Sequence, residues 1–325
     1  MTQVLHPTGQ LSYTAYSRWL LVLAFLAIYI VWGTTYLAIV FGLKGIPPFV
    51  LSALRFFIAG VLLFAWARYR GHAVPDKKTL KVCAISGTVM LVGGTGLVAW
   101  CEQYVNSGQA AIIIATEPFW FLLADKKNWP QYFSNRAVPV GLLTGFAGIV
   151  CFFLFTRENI TGYSAQLQLV GNAVLLLSSV LWVGGSLYAN SRLKQAGYTN
   201  TMTTAVQLVA AGCSSALLAV FTGEWRHFSF GAVTPEAWGG LLYLVVMGSL
   251  VAYLAFTWLI SILPPAIVST HTYVNPVVAV LIGWLFAGEH ITPKQVLALG
   301  IILAGLLLTN LPAYRQLRKR KNAPA

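Results

Sequence analysis

The stretch AAIIIATEPFWFLLA, Ala110–Ala124, decides how this chain is read. By composition it is an apolar helix with one carboxylate, Glu117, set beside one proline, Pro118. A counterpart, VSTHTYVNPVVAVLI, spans Val268–Ile282 in the other half of the chain. Laying Pro118 over Pro276 puts Glu117 opposite Asn275 and Ile113 opposite His271. An ionisable group inside lipid costs roughly 2.5–3.5 kcal/mol on insertion scales, so it faces a cavity or a partner rather than acyl chains. A helix broken near the midplane in each of two repeats points to the binding site of a transporter. The rest of the chain must then supply a bilayer pattern, a repeat and a cavity.

Composition supplies the bilayer. Of the 325 residues 58% are hydrophobic and 9% charged, with mean hydropathy +0.73. A soluble domain carries about 25% charged residues. The apolar runs are about 20 residues long, the length of a membrane helix, and do not alternate as barrel strands do. The expected fold is therefore an all-α integral membrane protein. The net charge of +13 does not imply a nucleic-acid partner, because the charges lie in short loops and the C-terminal tail. Cys83, Cys101, Cys151 and Cys213 fall in or beside apolar runs without a CxxC pair, so neither a disulfide framework nor a zinc site is expected. The first apolar run is too long for a signal-peptide core and reads as a retained anchor.

Ten apolar spans are expected: 19–40, 49–67, 82–100, 107–124 and 137–155, then 169–189, 202–221, 238–260, 265–286 and 295–311. With a cytoplasmic N-terminus, 16 of the 21 Lys and Arg fall on the inner side. Only Lys44, Arg157, Arg226 and Lys294 fall outside, and Arg55 lies within the second span. That asymmetry predicts a multi-pass protein of the inner (plasma) membrane with both termini cytoplasmic. The spans also repeat. Trp32-Gly33 pairs with the stretch from Trp182, Ala53-Leu54-Arg55 with Ala205-Val206-Gln207, and Pro118 with Pro276. Five spans per repeat is an odd number, so the halves run in opposite orientations. The expected organisation is a cytoplasmic segment at 1–18, five-helix repeats at 19–155 and 169–311, and a basic cytoplasmic tail at 312–325.

Three runs carry a resemblance: WGTTYLAI from Trp32, PPFVLSALRFFIAG from Pro47, and NPVVAVLIGWLFAGEHITPKQVLALGIILAG from Asn275. Together they resemble the EamA-type branch of the drug/metabolite transporter superfamily. The family pattern falls here on Trp32-Gly33, Arg55, Pro276 and Gly288-Glu289. The resemblance implies a ten-helix, inverted-repeat carrier of small metabolites, often an exporter, with a cavity between helices 1, 3, 4, 6, 8 and 9. The first repeat departs from the pattern. It lacks the Gly-Glu element and reads Asp125-Lys126-Lys127-Asn128-Trp129-Pro130 instead, so a gating role at that corner does not carry over.

Glu117 is the acidic side chain deepest in a span. It suits a substrate amine or a coupling proton, since burial favours the neutral form of a carboxyl group. A structural carboxylate, satisfied by backbone that Pro118 frees, is the plainer alternative. His271 and Asn275 share a helix face that Tyr273 does not, and all three are candidates for the cavity; interhelical hydrogen bonding is the competing role. Trp32 and Trp182 lie too deep for an interfacial belt and suit stacking on a substrate, with helix packing as the alternative. Tyr36 and Trp100 belong near the outer mouth. Arg55, Pro118, Pro276 and Glu289 read as gating or structural, with Arg55 tied to carbonyl oxygens or to Glu289, and a substrate-carboxylate clamp as its second role.

No GxxxxGK[ST] loop and no HExxH pattern occurs, so neither ATP hydrolysis, a metal nor another cofactor is expected. The partners are a small-molecule substrate, membrane lipids and a candidate coupling proton. The reading is a secondary active transporter of an amino acid or related compound. A proton-coupled exporter of cationic compounds, a channel and a membrane enzyme built on Glu117 with His271 are the rivals.

Overall fold

Backbone in hydrocarbon must satisfy its own hydrogen bonds, and a helix does so within one segment. Each of the ten apolar stretches is helical in the computed structural model, which describes residues 18–105, 107–155, 165–287 and 292–321. We number them α1 (Trp19–Gly42), α2 (Pro48–Tyr69), α3 (Lys77–Cys101), α4 (Ser107–Ile114 with Glu117–Ala124) and α5 (Ala137–Phe155). The second half follows with α6 (Ala165–Leu193), α7 (Asn200–Phe221), α8 (Pro235–Ile262), α9 (Pro265–Val268 with His271–Ala287) and α10 (Pro293–Lys321). Six of them, α1, α2, α3, α6, α7 and α8, are long and apolar enough to cross a membrane. No strand occurs among the described residues. This is a multi-pass helical membrane protein.

Polar side chains fix the helix ends. Asp76 caps α3, its Oδ1 accepting from Thr79 N at 2.9 Å, and Thr199 and Thr234 cap α7 and α8. The bonds from Thr79 hold the Asp76 carboxyl below the usual carboxylate range, so the cap persists at neutral pH and is lost as pH falls through that lowered value. The start of α2 is served from a distance. Glu224, in the turn after α7, accepts from the backbone N–H groups of Phe49 and Val50 at 2.8 and 3.1 Å. The turn after α2 reaches back in the same way, His72 Nδ1 lying 3.0 Å from Oγ1 of Thr199, the cap of α7. Each turn is opened by a left-handed glycine, Gly71 at φ 77° and Gly223 at φ 74°.

Packing is dominated by two close pairs, α2 with α7 and α5 with α10. Small residues allow the approach. A Cβ on Gly60 would meet the backbone of Leu208 and Val209, and one on Gly212 would meet the backbone of Phe57. Gly141, Gly145 and Gly148 serve α5 likewise, and Gly93 and Gly94 of α3 lie against Leu181 and Trp182 of α6. Around these pairs α3 packs on α6, α1 on α8 and α9, and α4 on α6 and α9.

The two proline-containing stretches behave differently. α4 breaks at Ala115–Thr116, just ahead of Pro118, which sits in the first turn of the second half-helix. A proline disfavours helix at the residue before it and clashes with the carbonyl four residues back, so the interruption falls where Pro118 requires it. Thr116 repairs part of the damage, its N–H and Oγ1 both donating to Ile113 O at 3.1 and 2.8 Å. Pro276, by contrast, sits inside a continuous helix, and α9 breaks at Ser269–Thr270. The cause there is a run of side chains that bond backbone three residues back: Thr270 to Ile267 O, His271 to Val268 O and Thr272 to Ser269 O. The expectation of a proline-placed break thus needs correction in the second half. Three π-helical stretches were also not expected: Ala27–Val31 in α1, Thr88–Gly96 in α3 and Leu244–Tyr253 in α8. Such stretches loosen the i−4 ladder and gather at functional sites.

Candidate functional site

α1, α2, α3, α4, α6, α8 and α9 converge on a cavity of about 70 Å³. Seven of the sequence candidates line it: Trp32, Tyr36, Arg55, Glu117, Trp182, His271 and Asn275. The polar lining also takes in Thr35, Thr95, Ser178, Ser249 and Tyr253, which composition alone did not single out. α2 joins the six expected walls through Arg55 and Phe56.

Glu117 reaches the cavity because the break ahead of Pro118 makes it the first residue of a new half-helix. It is 4% exposed, and its Oε2 is buried with no hydrogen-bond partner. The purely structural reading required backbone freed by Pro118 to satisfy this carboxylate. The carbonyl that Pro118 frees, that of Ile114, is an acceptor like the carboxylate itself. Oε2 is without a partner despite the break.

Arg55 is 5% exposed and comes from the facing side. Its Nε donates to Ser249 Oγ at 2.9 Å, and its guanidinium carbon lies 5.0 Å from the Phe56 ring centroid. The bond to Ser249 depends on the π-helical stretch of α8, where Gly248 leaves space that a Cβ would fill against the guanidinium. Among the described residues, Ser249 is the partner seen for Arg55. Glu289 and the neighbouring Gly288 lie outside the described residues. No ion pair joins Arg55 to Glu117, although both line the same cavity.

The aromatic wall is a linked set. Trp32 and Trp182 meet edge to face at 5.4 Å, and Phe256 packs on both at 5.2 and 5.1 Å. Trp32 Nε1 donates to Gly248 O at 3.2 Å, whereas Trp182 Nε1 is buried without a partner. His271 packs on Trp32 with ring centroids 4.8 Å apart, and its Nδ1 donates to Val268 O at 3.0 Å across the break in α9. A carbonyl only accepts, so Nδ1 carries the hydrogen and Nε2 is the acceptor of the neutral ring. Asn275 is a tie between helices. With its amide nitrogen turned to donate, it reaches Ile28 O, Tyr29 O and His271 O at 3.3, 3.1 and 2.9 Å. Ile28 and Tyr29 belong to the π-helical stretch of α1, where the ordinary ladder is loosened.

Two candidates lie elsewhere. Tyr273 is fully buried against α5 and α10, its ring on Gly145 and its hydroxyl without a partner. Trp100 meets Tyr104 edge to face at 5.1 Å, away from the cavity lining. Neither Pro118 nor Pro276 touches the cavity; each acts through its helix. Tyr273→Phe, which removes an unsatisfied buried hydroxyl, is expected to leave transport at wild-type level and the thermal midpoint unchanged or raised. A tenfold loss of transport would return Tyr273 to the substrate path.

Comparison with known proteins now gives the family. The EamA-like transporter family model matches residues 19–154 and again 169–311. The uncharacterized inner membrane transporter YedA of Escherichia coli K12 is 33% identical over 294 residues, 90% of each chain. The uncharacterized transporter YoaV of Bacillus subtilis is 24% identical, over 90% of this chain and 98% of its own. A crystal structure of a protein at 20% identity superposes with a TM-score of 0.70 over 92% of this chain and 99% of its own. That likeness speaks to the fold. With the family matched twice along a chain of membrane-length helices, this protein belongs to the EamA-like transporter family, as a membrane transporter and not an enzyme.

Proposed function

We propose that the chain is a secondary active transporter of small zwitterionic metabolites, amino acids and related compounds, working by alternating access across the inner membrane. The observation that carries the substrate class is the unpaired coexistence of Arg55 and Glu117 in one cavity. Leaving a buried guanidinium and a buried carboxyl without mutual pairing is costly, several kcal/mol for each group that is ionised. A zwitterion offers both complements at once. Its carboxylate fits the guanidinium fork and its ammonium fits Glu117 Oε2. Trp32 and Trp182, backed by Phe256, then receive an apolar or aromatic side chain. A multiply charged phosphate would meet a single cationic side chain, and a monocation would leave Arg55 unanswered in the same small space. The second point weighs against the cationic-compound exporter, the closest rival.

Two inverted five-helix repeats account for the packing. Exchanging each of α1–α5 with the helix five later maps α2–α7, α5–α10 and α4–α9 onto themselves. The same exchange turns α1–α8 into α3–α6 and α1–α9 into α4–α6. The π-helical stretches of α3 and α8 exchange too, as do Gly71 with Gly223 and the two reaching turns. An exchange that swaps a pair of halves head for tail is the geometry alternating access requires. The π-helical stretches and the breaks in α4 and α9 are where the halves bend as the cavity widens to admit substrate. The excess of Lys and Arg on one side supports cytoplasmic termini, and family resemblance supports export.

The test is counterflow in proteoliposomes with a pooled, labelled amino-acid set. Saturable exchange is expected. Flux without counterflow would make the protein a channel, and no flux of any amino acid would remove the substrate class.

A further inference from the structure

A second carboxyl is buried in this protein, and the cavity does not use it. Glu102 follows the last turn of α3, at the end away from Lys77, Lys78 and Lys81. It is 9% exposed, and both carboxyl oxygens are buried without a hydrogen-bond partner. Its N–H is spent on Val98 O at 2.9 Å, so it is fixed as part of the helix end. An anion there meets the negative end of the helix dipole, in addition to the cost of lost hydration. Burial holds the Glu102 carboxyl well above the usual carboxylate range.

Among the described residues, no cation pairs with it. The helix end packs with Tyr36 of α1, Ala110, Ala111 and Ile114 of α4, and Leu175 of α6. Among the described residues, the titratable groups in this region are Tyr36, Cys101, Tyr104 and Glu117. Cys101 donates to Gly171 O of α6 at 3.4 Å, Val174 and Leu175 of α6 pack in the same cluster, and Asn172 of α6 accepts from Gln109 of α4. Among the described residues, Arg55 of α2 is the cation on the cavity side, its Nε held by Ser249. Tyr36 is the link. It lines the cavity beside Glu117, packs in the cluster around Cys101, and its phenol lies within electrostatic reach of both carboxyls.

We propose that Glu102 is a second proton-binding site, coupled to Glu117 across Tyr36, that takes up and releases the proton driving transport at the Glu102 end of α3. The inference rests on the transporter reading above. When the helix end opens to water, the Glu102 carboxyl gives up its proton and becomes an anion. When it closes, burial drives the proton back on, and no other atom changes partners. Substrate binding at Arg55 and Glu117 does not require Glu102, so the variant that removes its titration leaves exchange intact and uncouples it.

The experiment compares the wild type, Glu102→Gln and Glu102→Asp in proteoliposomes, using the labelled amino acid that the wild type exchanges. Counterflow is measured without a gradient and accumulation under an imposed pH gradient. Glu102→Gln is expected to keep counterflow within about twofold of wild type and to lose at least tenfold in gradient-driven accumulation, with Glu102→Asp restoring part of it. Wild-type accumulation by Glu102→Gln, loss of counterflow along with it, or a wild type indifferent to the pH gradient would each overturn the proposal. Failure of wild-type counterflow would instead strike at the transporter reading itself.

Discussion

Glu117→Gln is expected to fold and insert normally and to lose transport by about 30-fold or more. The side chain keeps its shape, and Oε2 has no hydrogen bond for the substitution to break, so stability has little to lose. Function loses the charge that answers a substrate ammonium. Removing one partner of a buried, hydrogen-bonded charge pair costs about 2–5 kcal/mol, and each 1.4 kcal/mol is tenfold. Counterflow of labelled substrate, with thermal unfolding in detergent as the folding control, reads both quantities. Wild-type rate and pH dependence in the variant would remove Glu117 from the mechanism.

Arg55→Lys carries the second large effect. It preserves the positive charge but not the geometry. Arg55 holds Ser249 through Nε while its remaining nitrogens stay available as a fork, and a lysine ammonium cannot do both. Binding of the zwitterion is expected to weaken at least tenfold, about 1.4 kcal/mol, and the preference for a free carboxylate over its amide should collapse with it. Competition of the acid and the amide against labelled substrate measures that ratio. An unchanged preference would mean that the carboxylate is recognised elsewhere.

How much of this was legible in the sequence differs from element to element. The helices were, because a chain that must satisfy its backbone in lipid has few choices, and runs such as Pro48–Tyr69 admit one reading. The break at Ala115–Thr116 was legible because Pro118 acts locally. The break in α9 was not. It follows from Thr270, His271 and Thr272 each bonding backward, a cooperative competition that no single residue announces. The π-helical stretches depend on partners across helices, as when Asn275 collects the carbonyls of Ile28 and Tyr29.

Among the site residues, Trp32 and Trp182 were picked out by depth in their spans, and the cavity brings them together at 5.4 Å. Arg55 was read as gating or structural because a buried guanidinium usually ties helices; its place on the cavity emerges only when α8 unwinds around Gly248. Tyr273 was drawn in by its spacing from His271 and Asn275, but its own face of α9 turns toward α5 and α10. Glu102 sat at a span boundary, where composition cannot separate a solvated loop carboxylate from a buried one.

The most direct test of the central claim is competition for counterflow by three forms of one substrate: the free zwitterion, its amide or methyl ester with the cation alone, and its N-acetyl form with the anion alone. If Arg55 and Glu117 read the two ends of one molecule, only the zwitterion competes strongly and each blocked form falls at least tenfold behind it. If the ester competes as well as the zwitterion, Arg55 plays no part in recognition, and the cavity is that of a cation exporter.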